Sequence, residues 1–226
     1  MLICASLSGP LEELGLVDAN PVRLPIAGGD MKSVEVNQDP KLVNPTAYRN
    51  IIGKLMYATV GTRPDIAFAV GVLGRFTANP NMHHFKMAQR AVAYLKGTKD
   101  AYLHFKIGKG ALKIEGYADT NWGGNHSDRR STTGYTFLVN GCPVSWSSKR
   151  QVTVALSSTE AEYMAATQAT KEAIWIQHHF VQEQVESGEV ELKPIPTSHQ
   201  LADVLTKALT RDRFTALADK LIKSLF

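Results

Sequence analysis

Apolar positions along this chain of 226 residues change their spacing once, and that change divides it. From Pro45 they recur at helical intervals: Tyr48, Ile51, Ile52, Leu55 and Met56 form one stripe, closed by Gly61. Pro64 suits the first turn of a second helix with Ile66, Val70, Leu73 and Phe76 on one side. A third helix uses Phe85, Ala88, Val92 and Leu95 and stops at Gly97. Near residue 101 the period falls from about 3.6 to 2. AYLHFKI and ALKIEGYAD then read as strands joined by the turn GKG, and GYTFLVNG and CPVSWSS as two more joined at Asn140–Gly141.

A capped helix comes next, opening on SSTEAEYMAA. Ser157, Ser158 or Thr159 can cap it, and Glu160 suits the positive end of its dipole. Glu162 lies about 200° further round, so it needs another explanation. Ala161, Ala165, Ala169, Ala173 and Ile176 make a stripe of mostly small residues that lets the helix lie close on a sheet. VELKPIPT is a fifth candidate strand, and LADVLTKAL and RFTALADKLIKSL finish the chain as helices. This order predicts an α/β fold, with helices against a mixed sheet, preceded by a small all-helical segment. The expected divisions are a loop-rich 1–43 with one brief helix, a helical 44–100 and an α/β domain over 101–226.

Composition fits such a chain, at 44% apolar and 20% charged. The net charge of +4 is uneven: residues 1–110 carry 13 Lys and Arg against 8 Asp and Glu, residues 111–226 carry 12 against 13. The first half therefore suits a polyanion, or its cations simply form a solvated face; Lys86, Arg90, Lys96 and Lys99 read either way. Cys4 and Cys142 have no metal-ligand spacing, and a reducing compartment fits them. MLICASLSG lacks the charged start of a signal peptide, and no run of 18 apolar residues exists to span a membrane. An intracellular location, cytoplasm or nucleus, is expected. His83–His84 and His178–His179 read as packed or solvated, and Trp122, Trp146 and Trp175 as core.

Three carboxylates stand at element ends. Asp119 ends KIEGYAD before the turn-rich TNWGGN, Glu162 leads the capped helix, and Asp203 opens another helix. Such acids are commonly caps. Gathered on one sheet edge, they would repel one another unless cations neutralised them, and Mg²⁺ is the natural partner. A pair of such ions activates water and stabilises a leaving phosphate oxygen.

The stretch GYADTNWGGNHSDRRSTTGYTFLVNGCPVSWSSKRQVTVALSSTEAEYMAATQATKEAIW resembles the RNase H domain of copia-type LTR retrotransposon polyproteins. GY-x-D-x-x-W, DRRST-x-GY, SWSSK-x-Q and LSSTEAEY-x-A occur in the family's order and spacing. NPTAYRNIIGKLMYATVGTRPDIAFAVGVLGRF is similar to the thumb and connecting segment of the preceding reverse transcriptase, and VESGEVELKPIPTSHQLADVLTKAL to the domain's C-terminal end. The resemblance implies an RNase H-like fold that cleaves RNA in RNA–DNA hybrids with two Mg²⁺ and four acidic ligands. By position Asp119, Glu162 and Asp203 match three of those ligands, with Glu162 expected to face the metals and Glu160 water.

The family's fourth ligand is an Asp on a strand between the Glu helix and the last Asp, and residues 163–202 contain no Asp. The resemblance implies a piece cut short at its N-terminal side and shortened internally, with a seam at Trp175–Ile176 and one long helix over 157–187. Loss of that strand would bare the inner edge beside Asp119, where VELKPIP could pair. No Tyr-x-Asp-Asp polymerase motif is present, so DNA synthesis is not expected. The expected function is an impaired hybrid ribonuclease. The alternatives are a non-catalytic nucleic-acid binder that holds phosphates with Arg129, Arg130, Lys149 and Arg150, and a decayed fragment without function. The sequence leaves the oligomeric state open.

Overall fold

A computed structural model of the chain describes residues 2–3, 20–28, 44–105, 113–124, 128–180 and 195–222. In chain order these form β1 (Leu2–Ile3), α1 (Pro45–Gly61), a 3₁₀ turn at Pro64–Ile66, α2 (Ala67–Gly74), α3 (Met82–Gly97) and β2 (Leu103–His104). Then follow β3 (Ile114–Asn121), β4 (Thr132–Val139), β5 (Cys142–Arg150), α4 (Ser158–Phe180), a second 3₁₀ turn at Thr197–His199, α5 (Asp203–Thr206) and α6 (Arg211–Leu221). The fold is α/β. It divides into two compact units, Met1–His104 with Lys207–Phe226, and Phe105–Thr206.

In the first unit the helical stripes place the core. Tyr48, Ile51, Ile52 and Leu55 are buried on α1, whereas Met56 turns outward and is 53% exposed. The Asn44 carboxamide caps α1 by accepting from the amides of Thr46 and Ala47. Pro64 does open a helical turn, but a 3₁₀ one, and α2 behind it is buried nearly all round. His84 is packed. Its ring accepts from the Asn81 amide while Asn81 caps the His84 amide, and the ring stacks on Phe76 at 4.0 Å.

The sequence pattern did not reveal a buried ion pair at the α1–α2 junction. Arg63 and Asp65 are 2% and 1% exposed and meet through two bonds of 2.9 and 2.6 Å. Arg63 also donates to the Thr98 carbonyl and hydroxyl, and Tyr94 donates its hydroxyl to Asp65 at 2.7 Å. Phe214 of α6 stands edge-on to Tyr94. Burial alone would push the Arg63 guanidinium down, but Asp65 holds it above its usual range. Burial, then Asp65, raises the Tyr94 phenol well above its ordinary value.

Two strand expectations change. Among its described residues AYLHFKI yields only Leu103 and His104 as β2, and these pair antiparallel with β1 in the first unit. Leu103 is buried there, so its burial fixes β2 to that unit. The expected GKG turn and residues 190–194 of VELKPIPT lie outside the described residues, and Ile195–Pro196 are not strand. Among the described residues the second unit's sheet is purely antiparallel, in the order β3-β4-β5. Asn140 and Gly141 take φ of 50° and 78°, the left-handed pair expected of a two-residue hairpin. The strand register sets Asp119 opposite Gly134 and Gly134 opposite Ser148, so the three lie on one face of the sheet.

Candidate active site

Asp119 is nearly buried, two residues before the end of β3. Its face is covered by α5, and one residue makes that close approach possible. A Cβ on Gly134 would sit 2.5 Å from Thr206 Cγ2, 2.8 Å from Leu205 Cβ and 3.2 Å from the Ala202 carbonyl oxygen. Because Gly134 has no side chain, Thr206 reaches across and donates its hydroxyl to Asp119 Oδ2 at 2.6 Å. The same hydroxyl lies 3.3 Å from the Asp203 carbonyl oxygen, one turn back. Asp203 and Thr206, three apart, share one side of the helix, and both are wholly buried. Gln200 fixes the approach from the edge of the sheet by donating to the Ala118 carbonyl at 2.8 Å.

Glu162 lies on a different helix. Its helix α4 covers the other sheet face, where the stripe is buried at Ala161, Ala165 and Ile176 and half-buried at Ala169 and Ala173. Gln151 staples α4 to the sheet, its carboxamide donating to Thr133 Oγ1 at 2.9 Å and to the Ala161 carbonyl at 3.0 Å. Further along, Ser145 and Tyr135 donate to the Glu172 carboxylate, and burial followed by that carboxylate raises the Tyr135 phenol. Glu162 is solvent-exposed. So is Glu160, whose amide is capped by Ser157 at 3.1 Å and whose carboxylate accepts from the Leu156 amide at 2.7 Å. Ser157 is therefore the cap, and Glu160 completes a near capping box. The helix runs without a break through Trp175–Ile176 to Phe180, and residues 181–187 of the expected long helix lie outside the described residues.

The structure thus brings Asp119 and Asp203 to one helix–sheet contact and leaves Glu162 on the helix of the opposite face. Among the described residues no group of three or more His, Cys, Asp or Glu side chains could hold a metal ion. Among the described residues the acids do not make a four-ligand, two-metal set. One Mg²⁺ asks less, being held by one or two carboxylates with waters completing its octahedron, and among the described residues Asp119 and Asp203 are the acids that could supply them.

Cations gather at the same end of the sheet. Arg150 Nη1 pairs with Asp128 Oδ2 at 2.7 Å and Arg130 Nε with the same oxygen at 3.5 Å, so the end of β5 and the segment before β4 meet around one acid. Arg129 is exposed with φ of 57°, and its guanidinium lies beside Gly123. Arg150 is two residues beyond Ser148 on the Asp119 face, about 7 Å further along the strand. Lys149 points to the other face and is exposed. Trp122, expected in the core, is 48% exposed with its indole N–H bonded to the Ala155 carbonyl, and Trp175 is 49% exposed. Both rings are therefore half-exposed at the surface and not part of the core.

Comparison with known proteins decides the ancestry. The retrovirus-related Pol polyprotein from transposon TNT 1-94 of Nicotiana tabacum is 34% identical over 90% of this chain and 19% of its own length. That from transposon RE1 of Arabidopsis thaliana is 32% identical over 93% of this chain and 17% of its own length. The chain is a homologue of the copia-type Pol polyproteins of plant transposons. It spans less than a fifth of the length of these Pol relatives. A secreted RxLR effector protein, number 161 of Plasmopara viticola, is 49% identical over 57% of this chain and 90% of its own length. No protein-family model and no solved structure matches. No helix among the described residues of this Pol homologue is long and apolar enough to cross a membrane.

Sequence reasoning located the acids of the Pol homologue but missed the residues that seat them. Gly134 carried a signal: a glycine in the middle of the strand pattern TTGYTFLV marks a close backbone approach. Gln151 was marked only as the last residue of SWSSK-x-Q, with no role attached, and Thr206, three residues after Asp203 in LADVLTK, carried nothing beyond its polarity at a packed position.

Proposed function

We propose that the chain is a transposon Pol remnant. Its second unit keeps the scaffold of an RNase H-like nuclease, engages the backbone of an RNA–DNA hybrid inside the cell, and hydrolyses it feebly at best. One observation carries this reading: the Asp119–Thr206–Asp203 contact lies at the sheet end where Arg129, Arg130 and Arg150 gather, while Glu162 is exposed on the helix of the other sheet face. A hybrid phosphate near the arginines would lie within reach of the acid pair. Asp119 and Asp203 would hold Mg²⁺, which when bound would polarise water and neutralise the leaving oxygen. Fewer acidic ligands than a two-metal site requires means weaker binding and a large loss of rate. A hybrid-cleavage assay across a Mg²⁺ titration tests this. Turnover comparable to that of an intact relative, abolished by Asp119→Asn, would refute the impairment.

The paired arginines favour a second reading, hybrid binding without hydrolysis. Three cations engaging phosphates give a log–log salt slope of about −2.7, a loss of roughly 40-fold between 50 and 200 mM salt. Absence of hybrid binding at low salt would leave the decayed fragment as the surviving interpretation.

A further inference from the structure

We propose that Thr206 is a positioning residue for Asp119, setting the carboxylate in the orientation in which it accepts a divalent cation. The inference rests on the reading that Asp119 and Asp203 hold such an ion. Its grounds are geometric. The Thr206 hydroxyl lies 2.6 Å from Asp119 Oδ2, within the range of an O–H···O⁻ bond to an ionised acceptor. Both side chains are buried, Thr206 at 0% and Asp119 at 9% exposure, so water competes little for the bond. A carboxylate at a strand end otherwise turns freely about its last torsion. Engaging one of its oxygens fixes where the other lies. The donor also stands on the helix that carries Asp203, one turn away, so one hydroxyl sets the first acid relative to the other. Gly134 keeps this in register, because any Cβ there would collide with Thr206 itself. Groups that orient metal-binding carboxylates by hydrogen bonds act in this way, and losing one typically weakens metal affinity by about 10- to 100-fold.

The test is Mn²⁺ binding to the full chain, read by the electron paramagnetic resonance of free Mn²⁺, for wild type, Asp119→Asn, Thr206→Val, Thr206→Ala and Thr206→Ser. Circular dichroism melts accompany each variant, and affinities are compared only for proteins that fold. The valine variant keeps the shape of threonine, and the alanine variant adds no bulk should valine not fold. The expected result is loss of binding in Asp119→Asn and a Kd at least about tenfold higher without the hydroxyl. Serine, which keeps the donor, should restore affinity to within about threefold of wild type. A purely structural role would lower the melting temperature and leave the Kd of the folded protein unchanged. Binding lost in Asp119→Asn but kept in Thr206→Val or Thr206→Ala overturns the inference and leaves the acid-pair reading standing. No binding by wild type, or binding indifferent to Asp119→Asn, overturns the reading and the inference together.

Discussion

Replacing Gly134 by alanine puts one carbon atom where the structure has no room. The new Cβ would lie 2.5 Å from Thr206 Cγ2 and 2.8 Å from Leu205 Cβ, about 1 Å inside the 3.5–4.0 Å optimum for carbon pairs. Thr206 Cγ2 could swing aside only by turning its hydroxyl from Asp119. Leu205 Cβ and the Ala202 carbonyl belong to the backbone frame of α5 and its lead-in, and cannot swing at all. The segment must therefore shift as a body. Overpacking of this kind costs about 1–3 kcal/mol. The shift also stretches the 2.6 Å bond from Thr206, which as a bond to a charged group contributes about 1.5–3 kcal/mol. The two costs overlap, since a segment that moves away relieves the clash by giving up the bond, and alanine regains about 0.5–1 kcal/mol of chain entropy. A net loss of about 2–3 kcal/mol is expected. Urea unfolding followed by circular dichroism measures it, with Gly53→Ala as the control. Gly53 lies inside α1 with nothing within 4 Å of an added Cβ, so alanine there should stabilise by about 0.5–1 kcal/mol. A Gly134→Ala protein with an unchanged or raised urea midpoint would refute the packing argument.

Other outcomes follow from polar groups bonded within the fold. Asp65→Asn strands the Arg63 guanidinium, itself 2% exposed, without a counter-charge, and should cost about 3–5 kcal/mol in thermal or urea unfolding. Ser157→Ala removes the cap of α4 and should cost about 1 kcal/mol, with faster amide exchange confined to the first turn. Tyr48 and Tyr94 have phenol pKa values raised by burial above the ordinary 10.0, so the unfolded chain loses these protons first as pH rises. Their contribution is complete below pH 10 and disappears above it. Stability should fall by about 1.4 kcal/mol per pH unit for each tyrosine, and Tyr94→Phe should remove its share of that slope.

What the sequence disclosed and what it hid differ in physical kind. Local signals came through: the Asn140–Gly141 hairpin, the Ser157 cap with its Glu160, the Ala161 and Ala165 contact stripe, and the α1 and α3 boundaries each depend on residues a few positions apart. The failures depend on long-range partners. Nothing in AYLHFKI says that Leu103 pairs with Ile3 across a hundred residues rather than with the adjacent strand. Nothing in GTRPDI says that Arg63 and Asp65 turn inward, because hydropathy assigns both to solvent until Thr98 and Tyr94 arrive to satisfy them. The acids lie between these cases. Family resemblance named Asp119, Glu162 and Asp203 together, but a carboxylate's environment is set by what packs on it. One sheet face receives the short α5, which buries Asp203 and ties Asp119 to Thr206. The other receives α4, whose alanine stripe turns inward and leaves Glu162 in water. The residue deciding how close α5 lies is Gly134, which has no chemistry of its own, so a motif defined by its acids depends on a position whose only contribution is space.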